Sequence, residues 1–220
     1  MHCSRFAPNG WRRVLARNDN GSYIRKQQLR RRLREKLGDD ACVLEGFTGE
    51  GRLYRGCWAG LRGATIDLDG DKVAAAAAER PTWAVYCGDT EQALLAGWMA
   101  HVPWDVLDLD PYGSPWHFLQ AWFVSSRVRA STTHVMVTDG FFTRRGLAFP
   151  CRALWPTARR ERMTISTRMY EDTVRERLGQ WARDAGCTIG RLDSIPDHMM
   201  RLYQIEVHSS RGCSSSVGIA

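Results

Sequence analysis

No stretch of the 220 residues approaches the ~20 consecutive apolar residues that a bilayer-spanning helix needs, so a membrane-embedded fold is not expected. The opening residues, Met1-His2-Cys3-Ser4-Arg5, lack the apolar core of a secretion signal, and a cytoplasmic location is the default expectation. None of the seven cysteines forms a C-x-x-C pair, and no metal-ligand spacing is present, so no metal is expected. An odd cysteine count without a framework suits a reducing compartment. Cys42, Cys87 and Cys187, all on predicted strands, are expected to be small buried hydrophobes. The six histidines are scattered. His134 and His208 fall in or beside predicted strands and are expected to be structural, whereas His101 and His117 flank the chemistry described below. There is no internal repeat.

What the chain does have is 44% hydrophobic residues, enough for one domain with a full-sized core. It also carries a formal charge of +7, which favours an anionic partner, nucleic acid first. Much of that charge sits early. Ser22 is placed to cap a helix running to about Leu37, with Leu29, Leu33 and Leu37 on one stripe. Arg25, Lys26, Arg30, Arg31, Arg32, Arg34 and Lys36 crowd its other faces. Such a helix is either a solvated surface helix docked by its leucines or a phosphate-contacting helix beside the site, and both can hold at once. Residues 1–40 therefore read as a basic N-terminal extension, residues 41–209 as the main domain, and the serine- and glycine-rich residues 210–220 as a mobile tail.

From residue 41 the pattern alternates. Strands are predicted near 42–46, 63–68, 83–88, 105–110 and 133–138, and helices near 51–60, 71–80, 90–101 and 115–128. Alternation at this period predicts a parallel sheet with right-handed crossovers. A helix near 170–185 then precedes strands at 187–192 and 201–208, whose short connection predicts an antiparallel final pair.

The chemistry-bearing residues fall where these strands end. Val43-Leu44-Glu45-Gly46-Phe47-Thr48-Gly49-Glu50-Gly51 reads as strand, glycine turn and helix. That is a nucleotide-cradling unit, or else merely a tight turn. The third glycine of a dinucleotide fingerprint is missing, which disfavours NAD. Asp67 ends the next strand about twenty residues on, where an acid can accept both ribose hydroxyls, with Asp69 as a competitor. Asp89 follows the third strand and is placed to receive an adenine amino group. Each aspartate alone is also what a helix cap looks like. The fourth strand runs into Asp110-Pro111-Tyr112-Gly113: a carboxylate, a rigid proline and an aromatic ring at a strand's carboxyl end. An acidic acceptor beside a flat apolar face suits a planar substrate bearing an amine.

The succession E-G-F-T-G-E-G, I-D-L-D, C-G-D and D-L-D-P-Y-G resembles the class I S-adenosylmethionine-dependent methyltransferases over roughly residues 41–209. D-P-Y-G is similar to the D/N-P-P-Y/F motif of enzymes that methylate amino groups on bases, with Tyr112 in place of the second proline. The longer L-D-L-D-P-Y-G-S-P resembles the tRNA guanine dimethyltransferases, which share that arrangement, and Val135-Met136-Val137-Thr138-Asp139 echoes them faintly. The resemblance implies a Rossmann-like α/β fold with a seven-stranded, mostly parallel sheet, a reversed last strand and helices on both faces. It implies S-adenosyl-L-methionine as cofactor, an exocyclic amine of a DNA or RNA base as methyl acceptor, and no metal. Glu45, Gly46, Phe47, Thr48, Gly49 and Gly51 would hold the methionine portion, Asp67 the ribose and Asp89 the adenine. Asp110 would border donor and acceptor, binding the amine together with the Pro111 carbonyl, while Tyr112 stacks on the base. Asp108, two residues before Asp110, is either a second carboxylate able to raise its neighbour's pKa or a capped structural residue.

Residues 139–169 show neither period. Phe141, Phe142, Phe149 and Trp155 interleave there with Arg144, Arg145, Arg152, Arg159, Arg160 and Arg162. Rings among guanidiniums suit a single-strand or flipped-base platform, with Phe141, Phe142, Arg144 and Arg145 as substrate contacts. The same segment also reads as a cover whose aromatics pack inward. Two other accounts of the whole chain compete with base methylation: a methyltransferase acting on a protein, peptide or small-molecule amine, and a cofactor-binding subunit without turnover.

Overall fold

The structure, a computed structural model, describes residues 20–140, 147–148, 151–156, 163–197 and 200–210. Helix α1 (Asn20–Arg34) leads into β1 (Cys42–Glu45), a π-helix (Tyr54–Trp58), β2 (Arg62–Asp67), α2 (Gly70–Glu79), β3 (Trp83–Cys87), α3 (Thr90–Leu95), β4 (Val106–Leu109), α4 (Trp116–Val124) and β5 (Thr132–Asp139). A small antiparallel pair, β6 (Leu147–Ala148) and β7 (Met163–Thr164), stands apart from the main sheet. Then come α5 (Thr167–Asp184), β8 (Cys187–Asp197) and β9 (Met200–Ser209).

Seven strands form one sheet in the order β3-β2-β1-β4-β5-β9-β8. The first five are parallel, and β9 runs antiparallel to both of its neighbours. This is the expected mostly parallel sheet with a reversed last strand. β9 enters between β5 and β8 rather than extending the edge.

Side chains on a strand alternate between faces, and both faces here are buried, so the inner strands are nearly continuous apolar runs. Leu44, Leu107, Val135 and Tyr203 point into one core with Trp116 and Leu119 of α4 and Val174 and Leu178 of α5. Their neighbours Val43, Val106, Met136 and Leu202 point into the other, against Leu29 and Leu33 of α1 and Trp58 of the π-helix. The basic N-terminal helix is thus packed into the domain. It already includes Ser22, which was expected as its cap.

Three predicted helices come out shorter or altered. The segment predicted as a helix over 90–101 stops at Leu95, because Gly97 and Met99 take positive φ angles of 73° and 54°. The segment at 115–128 ends at Val124, and that at 51–60 narrows to the π-helix. Of the three cysteines expected inside strands, Cys187 is buried, but Cys42 and Cys87 are half-buried. Of the aromatic and arginine-rich segment, residues 139–140, 147–148, 151–156 and 163–169 are described. Leu154 is buried, and the Trp155 ring lies 5.5 Å from that of Tyr170. The stretch around Leu154 packs inward. Phe141, Phe142, Arg144 and Arg145 lie outside the described residues.

Candidate functional site

β1 leads to β2 and β3 on one side of itself, while β4 and β5 lie on the other. The strand order therefore reverses between β1 and β4, and a crevice outside the carboxyl ends opens at such a switch point. The two loops that carry the sequence signals start there side by side. Gly46 N–H donates to the Asp108 carbonyl at 2.8 Å, so the β1 loop begins tied to β4. A Cβ on Gly46 would sit 2.7 Å from a Leu109 methyl, which is why the crossing needs glycine. Gly49 and Asp110 lie at the same end of the sheet.

On the β1 side, Thr48 is buried and shares a 2.8 Å hydroxyl hydrogen bond with Thr65. Gly49 adopts φ +52°, and nothing lies within 4 Å of where its Cβ would be. Its N–H donates to Asp67 Oδ2 at 3.1 Å, and Asp69 N–H donates to Asp67 Oδ1 at 3.0 Å. Asp67 is thereby held at the mouth of the turn. Asp69, its competitor, is exposed and caps α2 by accepting from Asp71 N–H at 3.1 Å. Asp89 caps α3 through Gln92 N–H at 2.9 Å, while its side chain stays exposed beside the end of β3. Phe47 meets Phe118 edge-on at 4.8 Å, and His117 lies 3.7 Å from Phe118, centroid to centroid. Burial lowers the His117 pKa against the pull of Glu91 and Asp89. His101 is exposed.

Glu45 is buried and linked to this turn through Thr65, whose hydroxyl also bonds Thr48. Its carboxylate accepts from Thr65 at 3.1 Å and pairs with Arg80, whose guanidinium lies over Tyr54 at 4.3 Å. Burial pushes the Glu45 carboxyl up to about 7, against the pull of Arg80. Its side chain is thus engaged in an internal pair.

On the β4 side, Pro111 is buried and Tyr112 is 87% exposed, a bare ring on the rim. The loop is braced by Gly140 N–H donating to the Gly113 carbonyl at 2.9 Å. The two aspartates of D-L-D divide their roles. Asp108 is buried and accepts from Arg30 at 2.7 and 2.5 Å and from Trp58 Nε1 at 2.8 Å, which makes it the structural residue of the pair. Asp110 accepts from Lys26 Nζ at 2.9 and 3.2 Å. Burial alone would raise the Asp110 carboxyl. The charges of Lys26 and Arg30 and the Lys26 hydrogen bond outweigh it and hold the carboxyl below its ordinary value.

The register explains why one helix serves both acids. Residues four apart on a helix are about 6 Å apart along its axis, and residues two apart on a strand about 6.6 Å. Lys26 and Arg30 of α1 therefore reach Asp110 and Asp108 together. Sequence reading missed this clamp, together with Trp58 and Arg80. The i, i+4 basic pair facing a D-x-D was its only visible trace. Among the described residues no group of three or more His, Cys, Asp or Glu is placed to hold a metal, and no helix is long and apolar enough to cross a membrane.

No protein-family model matches the chain, and no curated protein matches it in sequence. Solved structures do match in shape. Trm1 from Pyrococcus horikoshii, in complex with S-adenosyl-L-methionine, superposes with a TM-score of 0.64 at 14% identity, over 86% of this chain and 55% of that one. The chain thus spans little more than half of the Pyrococcus protein. TYW2 from M. jannaschii, in complex with AdoMet, gives 0.53 at 10% identity over 83% and 75%. Magnesium protoporphyrin IX methyltransferase from Synechocystis, with bound SAH, gives 0.51 at 12% identity over 87% and 84%. The chain has the Rossmann-like fold that these S-adenosylmethionine-binding proteins share.

Proposed function

We propose that this protein transfers a methyl group from S-adenosylmethionine to an exocyclic amino group of a nucleic-acid base. The observation that carries the reading is the Asp110-Pro111-Tyr112 turn at the switch point, an acidic acceptor with an exposed ring, directly beside the β1 glycine turn. The shared fold of cofactor-binding neighbours supports the donor, and the D-P-Y-G resemblance supports the acceptor.

The residues of the β1 turn suit the donor. The open space over Gly49 lets a ligand approach the backbone, as a methionine moiety must. Thr48, Gly49, Gly51 and the backbone of Gly46 and Phe47 would cradle it. Asp67 keeps lone pairs for ribose hydroxyls, and the exposed Leu68 beside it offers an apolar wall. Asp89, still exposed, would accept from the adenine amine. When bound, the sulfonium supplies an activated methyl group.

The chain's own work is then positional. Asp110 and the Pro111 carbonyl would accept the two amine hydrogens and turn the nitrogen lone pair toward the methyl carbon, while Tyr112 stacks on the base. The lone pair would then form the N–C bond, with the C–S electrons leaving to sulfur. The proton released from nitrogen passes by way of Asp110 to water. Methylation makes that nitrogen strongly acidic, so even a carboxylate with a lowered pKa can take its proton. A duplex substrate would first have to release the target base from the stack.

The test is incubation with methyl-labelled donor and separate pools of DNA, RNA and protein. Label is expected in nucleic acid and is expected to vanish with Asp110→Ala or Tyr112→Ala. Label in protein alone would reject the reading.

A further inference from the structure

Resting on the function proposed above, we infer that Lys26 and Asp110 act as a joined donor–acceptor pair that reads the H2N–C=N edge of an aminated heterocycle. The substrate class is then a nucleobase rather than an alkyl amine or an alcohol.

The two rungs of the α1 clamp differ in one respect. Arg30 and Asp108 are sealed, each side chain 1% exposed, whereas Lys26 is 14% and Asp110 20% exposed. The sealed rung, with Leu29 and Leu33, anchors the helix. The open rung stands at the carboxyl end of β4, partly exposed and with hydrogen-bonding capacity left over. An ammonium has three N–H donors. Among the described residues, those of Lys26 go to the two oxygens of Asp110, which can share them, leaving at least one N–H free. The carboxylate has about four lone-pair sites and keeps some of them open.

An acceptor and a donor 2.9 Å apart thus stand side by side at the site. The complement is a donor beside an acceptor. Adenine, cytosine and guanine all carry it, as an amino group on a carbon next to a ring nitrogen. Asp110 takes the amine hydrogen and Lys26 donates to the ring nitrogen, which fixes the base in its plane as well as in its position. A peptidyl lysine offers no neighbouring acceptor and brings a second positive charge toward Lys26. A hydroxyl likewise lacks the second feature.

The experiment compares single-stranded oligonucleotides carrying adenine, cytosine or guanine with ones carrying 1-deazaadenine, 3-deazacytosine or 3-deazaguanine. In each analogue the ring nitrogen beside the amine is C–H. With labelled donor, wild-type kcat/KM is expected to fall about tenfold or more on the productive base when that nitrogen is removed, the usual loss for a charged hydrogen bond. Lys26→Met should lose a similar factor on the parent base and no longer distinguish it from the analogue, while donor binding by calorimetry is unchanged. Lys26→Arg should keep part of the discrimination, and Lys26→Gln serves the same comparison if methionine prevents folding. A variant without the ammonium that still discriminates as wild type does overturns the inference and leaves the proposed function standing. Wild type that labels none of the oligonucleotides but does label a peptide overturns the proposed function itself.

Discussion

Removing Arg30 is the sharpest test of how the β4 loop is held. Arg30→Met keeps most of the aliphatic stem and deletes the guanidinium that donates twice to Asp108. Asp108 is then a carboxylate 1% exposed in the apolar layer between α1 and the sheet, with Trp58 Nε1 as its remaining donor. Breaking a buried pair from one side costs about 3–5 kcal/mol, because the surviving charge has lost its compensation. For a chain of this size that corresponds to a melting temperature lower by about 6–20 °C. Urea unfolding followed by far-UV circular dichroism measures it directly. The double variant Arg30→Met/Asp108→Leu removes both charges and should recover much of the loss, since apolar replacements for a buried pair are often neutral. A loss below about 1 kcal/mol in the single variant, the ordinary worth of an exposed pair, would refute the burial argument. A double variant no more stable than the single would refute the claim that the orphaned charge is the cost.

Further outcomes follow from the same geometry. Gly46→Ala should destabilise by about 1–3 kcal/mol by forcing a methyl against Leu109, read as a lower urea midpoint at unchanged slope. Asp67→Asn should weaken donor binding about tenfold or more in calorimetry while leaving the fold intact, through loss of a charged acceptor at the ribose position. Because Lys26 and Arg30 of α1, with a Thr138 hydrogen bond, depress the Asp110 pKa despite burial, the acid limb of kcat/KM should lie below the usual aspartate range. It should move to higher pH in Lys26→Met. The sign for stability is the same: a depressed carboxylate stabilises the fold above its unfolded pKa, and that contribution is lost as pH falls through the folded one. Lys26→Met should therefore lose less stability on acidification than wild type.

The sheet was legible because its evidence is local. Apolar runs of four to six residues with glycine or aspartate after each announce buried parallel strands, and the observed boundaries fall within one or two residues of those expected for β1 to β5. The short link before β9 announced its direction. It could not announce that β9 enters between β5 and β8, because that choice depends on which edge is open. The position of the glycine turn, Asp67 and Asp110 at the strand ends was legible for the same reason. Helix α1 was not. Its basic residues look alike in sequence, yet Arg30 is internal and Arg31 is exposed, since only the stripe that faces β4 meets acids nearly eighty positions away. The ion pair of Glu45 with Arg80 was hidden for a related reason, since its partner lies thirty-five positions along the chain. Arg30 and Arg80 are spent inside, but each is matched by a buried acid, Asp108 and Glu45, so the net charge of +7 remains with the other residues.

The placement of β9 has a bearing on how the chain is made. Until residues 200–209 emerge from the ribosome, β5 ends the growing sheet with a full row of unsatisfied amides and carbonyls, flanked by Val135 and Val137. Roughly sixty residues of synthesis separate the appearance of β5 from that of its partner, several seconds at about 5–20 residues per second. During that interval the nascent domain exposes a sticky border, and its final strand acts as the closing stitch. A stop codon or proteolytic cut just before β9 would therefore yield an aggregating species rather than a slightly smaller folded domain.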